Sequence, residues 1–133
     1  MIYIDTGALI ARYIAKDHYH AEALSSWKAL EKNKDKLFTS NFVLDETFTL
    51  LGRRAGYQFA AQRAMAIFSS DAFTILRPDK SHELAALRYF ERYSDQMVSF
   101  TDCISFVLMK EYKIKRVFTF DKHFELAGFQ VIP

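Results

Sequence analysis

A chain of 133 residues, half of them hydrophobic and 16% aromatic, holds enough apolar material for one packed interior and too little length for two. A single domain over residues 1–133 is therefore expected, and a disordered or low-complexity protein is excluded. The formal net charge of +2 is too slight to name a partner, no apolar run approaches the roughly 20 residues that span a bilayer, and the lone Cys103 rules out an internal disulfide. With no signal-peptide pattern after Met1, the expectation is a protein of the reducing cytoplasm, away from any membrane.

Met1-Ile2-Tyr3-Ile4 is a short apolar run ending at Asp5-Thr6-Gly7, and Ala8 to Tyr13 is helix-compatible, so the chain opens with a buried strand feeding a helix. His20 to Leu30 carries a helical period through Ala21, Ala23, Leu24, Trp27 and Leu30. The polar run Glu31 to Lys36 breaks it before Leu37-Phe38-Thr39. Ser40 or Asn41 is suited to cap a helix from about Phe42 to Arg54, closed by Gly56, and Tyr57 to Ser69 supplies an Ala-rich helix. Ala72 to Leu76 reads as a strand stopped by Arg77-Pro78, after which Pro78-Asp79 starts a helix to about Tyr93. Met97 to Phe100 is expected as a short strand and Asp102 to Tyr112 as a helix. Arg116 to Phe120 follows as a strand ending at Asp121, and Gln130 to Ile132 as an edge strand. Alternating strands and helices without hairpin signals imply an α/β fold whose mainly parallel sheet is covered on both faces.

In open sheets of this kind, sites form beyond the carboxyl ends of the strands, where strand order reverses. Asp5, Asp102 and Asp121 fall there, and they converge if the first strand is central with the Met97 strand beside it. Glu46 joins them by helical phase. It shares a face with Phe42, Val43 and Leu50, whereas its neighbour Asp45 falls outside that stripe and should meet water. Crowded carboxylates withdrawn from water take up protons unless a cation compensates, and an all-oxygen donor set suits Mg²⁺ or Mn²⁺. Two such ions can clamp the attacking and leaving oxygens of a phosphodiester, which makes nuclease chemistry the natural reading.

Taken singly, each acid also has a structural reading: Asp5 as a turn residue, Asp102 and Asp121 at helix starts, Glu46 as a surface helix residue. Asp102 resists it best, because Cys103, Ile104, Phe106, Val107, Leu108 and Met109 make its helix apolar nearly all round. Three acids at three strand ends point to a site.

At these residues the chain resembles the PIN-domain nucleases, especially the VapC-type toxins of toxin–antitoxin pairs. The resemblance rests on Ile4-Asp5-Thr6, Ser40 to Glu46, Ser99-Phe100-Thr101-Asp102, and Phe118 to Phe124 with Gly128-Phe129, in that order over nearly the whole chain. It implies a three-layer α/β/α fold and a Mg²⁺- or Mn²⁺-dependent endoribonuclease whose catalytic and metal-holding acids are Asp5, Glu46, Asp102 and Asp121. It further implies an RNA substrate, a cognate antitoxin and a homodimer. In such a family the hydroxyls of Thr6, Thr101 and Thr119 look like groups that orient the acids, although capping or strand-end roles fit them equally.

Other residues attract weaker readings. Asp17, His18 and His20 have ligand-like spacing but no second His or Cys cluster, so they are set aside as a zinc site. Asp95 follows Ser94 in an ordinary turn signal. His123 is read as a surface or capping residue in preference to a substrate contact, and Cys103 as a small core residue. Arg12 with Lys16, Arg53 with Arg54, and Lys113-Lys115-Arg116 are candidate phosphate contacts, more simply read as solvated. A haloacid-dehalogenase-like phosphatase would need a second Asp where Gly7 stands, and a receiver domain would need adjacent acids after the first strand. The alternatives left open are a non-catalytic RNA-binding or interaction module of the same fold, and a free-standing RNA-processing nuclease. A short DNA-binding reading frame immediately upstream would favour the toxin.

Overall fold

The computed structural model describes residues 1–133. β1 (Ile2–Ile4) is buried at every residue, as a strand covered on both faces must be. It lies between β2 (Leu37–Ser40) and β4 (Arg116–Phe118), with β3 (Phe73–Leu76) beyond β2 and β5 (Gln130–Ile132) beyond β4. Every pairing is parallel, with Tyr3 opposite Phe38 on one side and Val117 on the other. The expected mainly parallel sheet is thus wholly parallel.

The connections are helical: α1 (Thr6–Tyr13) and α2 (His20–Asn33), α3 (Asn41–Ala55) and α4 (Tyr57–Ser69), α5 (Lys80–Arg92) and α6 (Phe100–Glu111), and α7 (His123–Leu126). From β1 to β3 the chain moves outward in one direction, then returns across the sheet to β4 and moves the other way. Right-handed crossovers therefore place the first four helices on one face and the last three on the other, the expected three layers. Trp27 of α2 packs on Phe73 and Phe118 and donates its indole N–H to Ala8 O at 3.1 Å. On the other face Phe106 of α6 meets Phe124 and Phe129. At the bend between α3 and α4, Gly56 takes φ +98°, a conformation that excludes ordinary side chains.

Several sequence expectations need correction. Met97 to Phe100 is no strand: Met97 is left-handed (φ 57°) and almost fully exposed, Val98 is buried, and Ser99 caps α6 by accepting from Asp102 N at 3.0 Å. The hydroxyl cap wins over a four-residue apolar run that has no neighbouring strand edge to join, so β1 is flanked by β2 instead. α1 begins at Thr6 rather than Ala8, and β4 ends at Phe118, two residues short of Phe120. The first half of the polar run after Leu30 remains helical, to Asn33, and Lys34 (φ 54°) ends the helix.

Candidate active site

Strand order reverses between β1 and β4, and the chain puts an acid just past each of these ends. Asp5 follows β1 and is buried; Asp121 follows β4 by three residues and is half-buried. Asp102, buried, enters from the opening turn of α6, and Glu46 from α3. All four line one cleft of about 670 Å³, with Thr6, Ser99 and His123 on its walls. Asp45, one residue from Glu46, is exposed, as the helical phase requires.

The surroundings hold these carboxylates in place. The Thr119 hydroxyl donates to Asp5 Oδ2 at 2.7 Å and accepts from Asp121 N at 3.0 Å, so one side chain ties both strand-end acids together. Asp121 Oδ1 in turn accepts from His123 N at 2.9 Å. Beneath the cleft, buried Tyr3 of β1 hydrogen-bonds Ser105 at 2.9 Å, one turn along α6 from Asp102, which fixes that helix against the central strand. Thr6 is buried with its hydroxyl unpaired. Thr101 makes no side-chain hydrogen bond to the acids, so only Thr119 has the contacts its proposed orienting role needs.

Burial dominates the electrostatics. It pushes the Asp102 carboxyl up to about 9, with the charges of Asp5, Asp121 and Glu46 adding to the rise. Asp5 is raised to about 6, again first by burial, with the Thr119 hydrogen bond opposing and Asp121 and Glu46 reinforcing. The cleft on its own therefore cannot keep its acids fully ionised at neutral pH. A divalent cation reverses that preference by compensating the charge. Asp102, Asp121 and His123 form a potential ligand group, one donor atom from each lying within 4.8 Å of the others.

Other sequence candidates separate cleanly. Asp17 is on the cleft wall but accepts from Tyr19 N, and His20 Nδ1 contacts Ala11 O at 2.7 Å; neither belongs to a metal-ligand group. Cys103 is buried, and its thiol is pushed up to about 11 by burial and by Asp102, so it stays protonated. Of the basic candidates only Arg54 reaches the cleft. Arg12 pairs with Glu31 and Arg116 with Asp35, while Lys113 and Lys115 line a separate cavity. Sequence reading missed Lys122 and the Tyr19–Phe120 stack (centroids 4.3 Å apart), which also line the cleft. His123, read from the sequence as a surface or capping residue, lines the cleft as well. The adjacency of Lys122 and His123 to Asp121 was the available signal.

A family model described as the PIN domain matches residues 2–130. The chain is 35% identical over 129 residues to the 23S rRNA-specific endonuclease VapC20 of Mycobacterium tuberculosis, covering 97% of this chain and 95% of that protein. It is 33% identical over 126 residues to a VapC ribonuclease of Archaeoglobus fulgidus, covering 92% and 78%. The crystal structure of M. tuberculosis VapC20, described as a sarcin-ricin loop cleaving toxin, matches with TM-score 0.86 at 34% identity over 97% of this chain and 96% of that one. FitAcB from Neisseria gonorrhoeae shares the fold, with TM-score 0.74 at 14% identity over 100% and 97%.

Proposed function

The chain belongs to the PIN-domain family, and we propose that it is a divalent-metal-dependent endoribonuclease acting in the cytoplasm as the toxin of a toxin–antitoxin pair. The observation that carries this is the meeting of Asp5, Glu46, Asp102 and Asp121 in one cleft at the switch between β1 and β4. Kinship with nucleases named for rRNA and ribonuclease cleavage supports the substrate class.

The residues fit a divalent cation. The carboxylates supply hard oxygen donors, burial and the neighbouring acids raise Asp5 and Asp102, and the buried Thr6 hydroxyl on the same wall lacks a partner. Asp5, Asp102, Asp121 and Glu46 would hold Mg²⁺ or Mn²⁺. When bound, such an ion supplies activation of water and neutralisation of charge growing on the departing oxygen. The chain's own part is positional. Thr119 fixes the Asp5 and Asp121 oxygens, Ser99 fixes the start of α6 and hence Asp102, and Glu46 at the rim orients water toward phosphorus. Arg54 and Lys122 offer cations to phosphates flanking the scissile bond, and the partly exposed Tyr19 on Phe120 offers a stacking face for a base.

The same reading includes protein partners, a second copy and an antitoxin, supported by apolar side chains left exposed on α4 and α5: Met65, Phe68, Leu84, Leu87 and Phe90. No helix is long and apolar enough to cross a membrane. Incubation of the protein with structured RNAs, with and without Mg²⁺ or Mn²⁺, tests the activity. Cleavage that needs the metal and is lost in Asp5→Asn is expected. RNA binding without cleavage under every metal condition would favour the non-catalytic module.

A further inference from the structure

Resting on the reading of the cleft as a divalent-metal site, we propose that His123 Nδ1 is a metal donor beside Asp102 and Asp121, and that this nitrogen makes the site select Mn²⁺ over Mg²⁺. The imidazole is placed for it. Nδ1 lies 2.9 Å from Asp121 Oδ1 and 3.6 Å from Asp102 Oδ2. Adjacent ligands of an octahedral ion with bonds of about 2.1 Å stand roughly 3 Å apart and opposite ones about 4.2 Å, so this spacing matches that of a coordination shell.

That nitrogen faces these two carboxylates within ion-pair range, and it is a buried atom that no hydrogen bond occupies. Asp121 Oδ1 is already engaged by the backbone N–H of His123 itself, a contact that holds the ring beside the carboxylate. Phe124, the next residue, is fully buried and anchors the segment from behind. A solvated or capping histidine has no need of this arrangement.

The consequence is selectivity. Mg²⁺ seeks oxygen and keeps its waters, whereas first-row transition ions accept imidazole, so exchanging one oxygen donor for nitrogen shifts the balance toward Mn²⁺. His18, His20 and His82 do not line the cleft, so a nitrogen donor found on a bound ion there is that of His123.

Pulsed electron paramagnetic resonance of the intact protein loaded with one equivalent of Mn²⁺ should show coupling to an imidazole nitrogen that changes on ¹⁵N-histidine labelling. Calorimetric titration should show His123→Ala weakening Mn²⁺ by about tenfold or more and Mg²⁺ by less than about twofold, and the melting curve in chelator verifies that the variant folds. No nitrogen coupling in the Mn²⁺-loaded wild type overturns the proposal without recourse to any variant. Mn²⁺ binding that is lost in Asp102→Asn but intact in His123→Ala overturns it while leaving the metal site standing. A wild type that binds neither ion overturns the metal-site reading as well.

Discussion

Replacing Asp102 by Asn should make the metal-free protein more stable, although it removes a proposed active-site acid. Asp102 is only 6% exposed and faces the carboxylates of Asp5, Glu46 and Asp121 and the imidazole of His123. Burial first, and then the charges of Asp5, Asp121 and Glu46, push it up to about 9, against 3.8 in a solvated chain. Between those values the folded state keeps a proton that the unfolded state has released, so this residue's contribution to stability falls as pH rises. The step from pH 5 to pH 8 therefore costs on the order of a few kcal/mol. Asn has nearly the same shape and no charge, so it removes this cost. At roughly 3 °C per kcal/mol for a chain of this size, Asp102→Asn in chelator at pH 8 should melt on the order of 10 °C above wild type. The gap should narrow toward pH 5. Thermal melts followed by circular dichroism across that range measure it, and added Mn²⁺ should raise the wild-type Tm and leave the variant unmoved. A variant that melts below wild type at pH 8 in chelator, or a gap independent of pH, refutes the reasoning.

Further substitutions test the rest of the cleft. Glu46→Gln should lower kcat by at least about 10²-fold while Asp45→Asn stays near wild type, since only Glu46 reaches the cleft; cleavage kinetics on one RNA compare them. Thr119→Val loses both its hydrogen bonds and should reduce activity by about 10- to 100-fold, with Thr119→Ser restoring much of it. Arg54→Ala should raise KM more than it lowers kcat and reduce the salt dependence of RNA binding by about one charge, measured by titration at several ionic strengths.

Legibility in the sequence followed the kind of signal. Asp5 and Asp121 could be placed because each directly follows a short apolar run, and a parallel sheet gathers strand ends on one side. Glu46 was separable from Asp45 because 100° per residue puts them on different faces of α3. Asp102 was located in the cleft by a wrong route. The four apolar or small residues from Met97 to Phe100 imitate a strand, but Ser99 with Asp102 three residues on is a capping sequence, and it governs the local structure. His123, Lys122 and Tyr19 come from short loops and helix edges with no period, so their approach to the cleft depends on tertiary packing that local pattern does not encode.

The chemistry of the RNA ends tests the central claim most directly. Ribonucleases that dispense with metal activate the 2′-hydroxyl with paired acid and base groups, and this cleft holds one histidine, His123, with no second. Metal-assisted in-line hydrolysis by the four acids should leave 5′-phosphate and 3′-hydroxyl ends, so that fragments made in Mg²⁺ or Mn²⁺ rejoin with a ligase without end repair and none form in chelator. Cleavage that persists in chelator and leaves 2′,3′-cyclic phosphates would contradict the account.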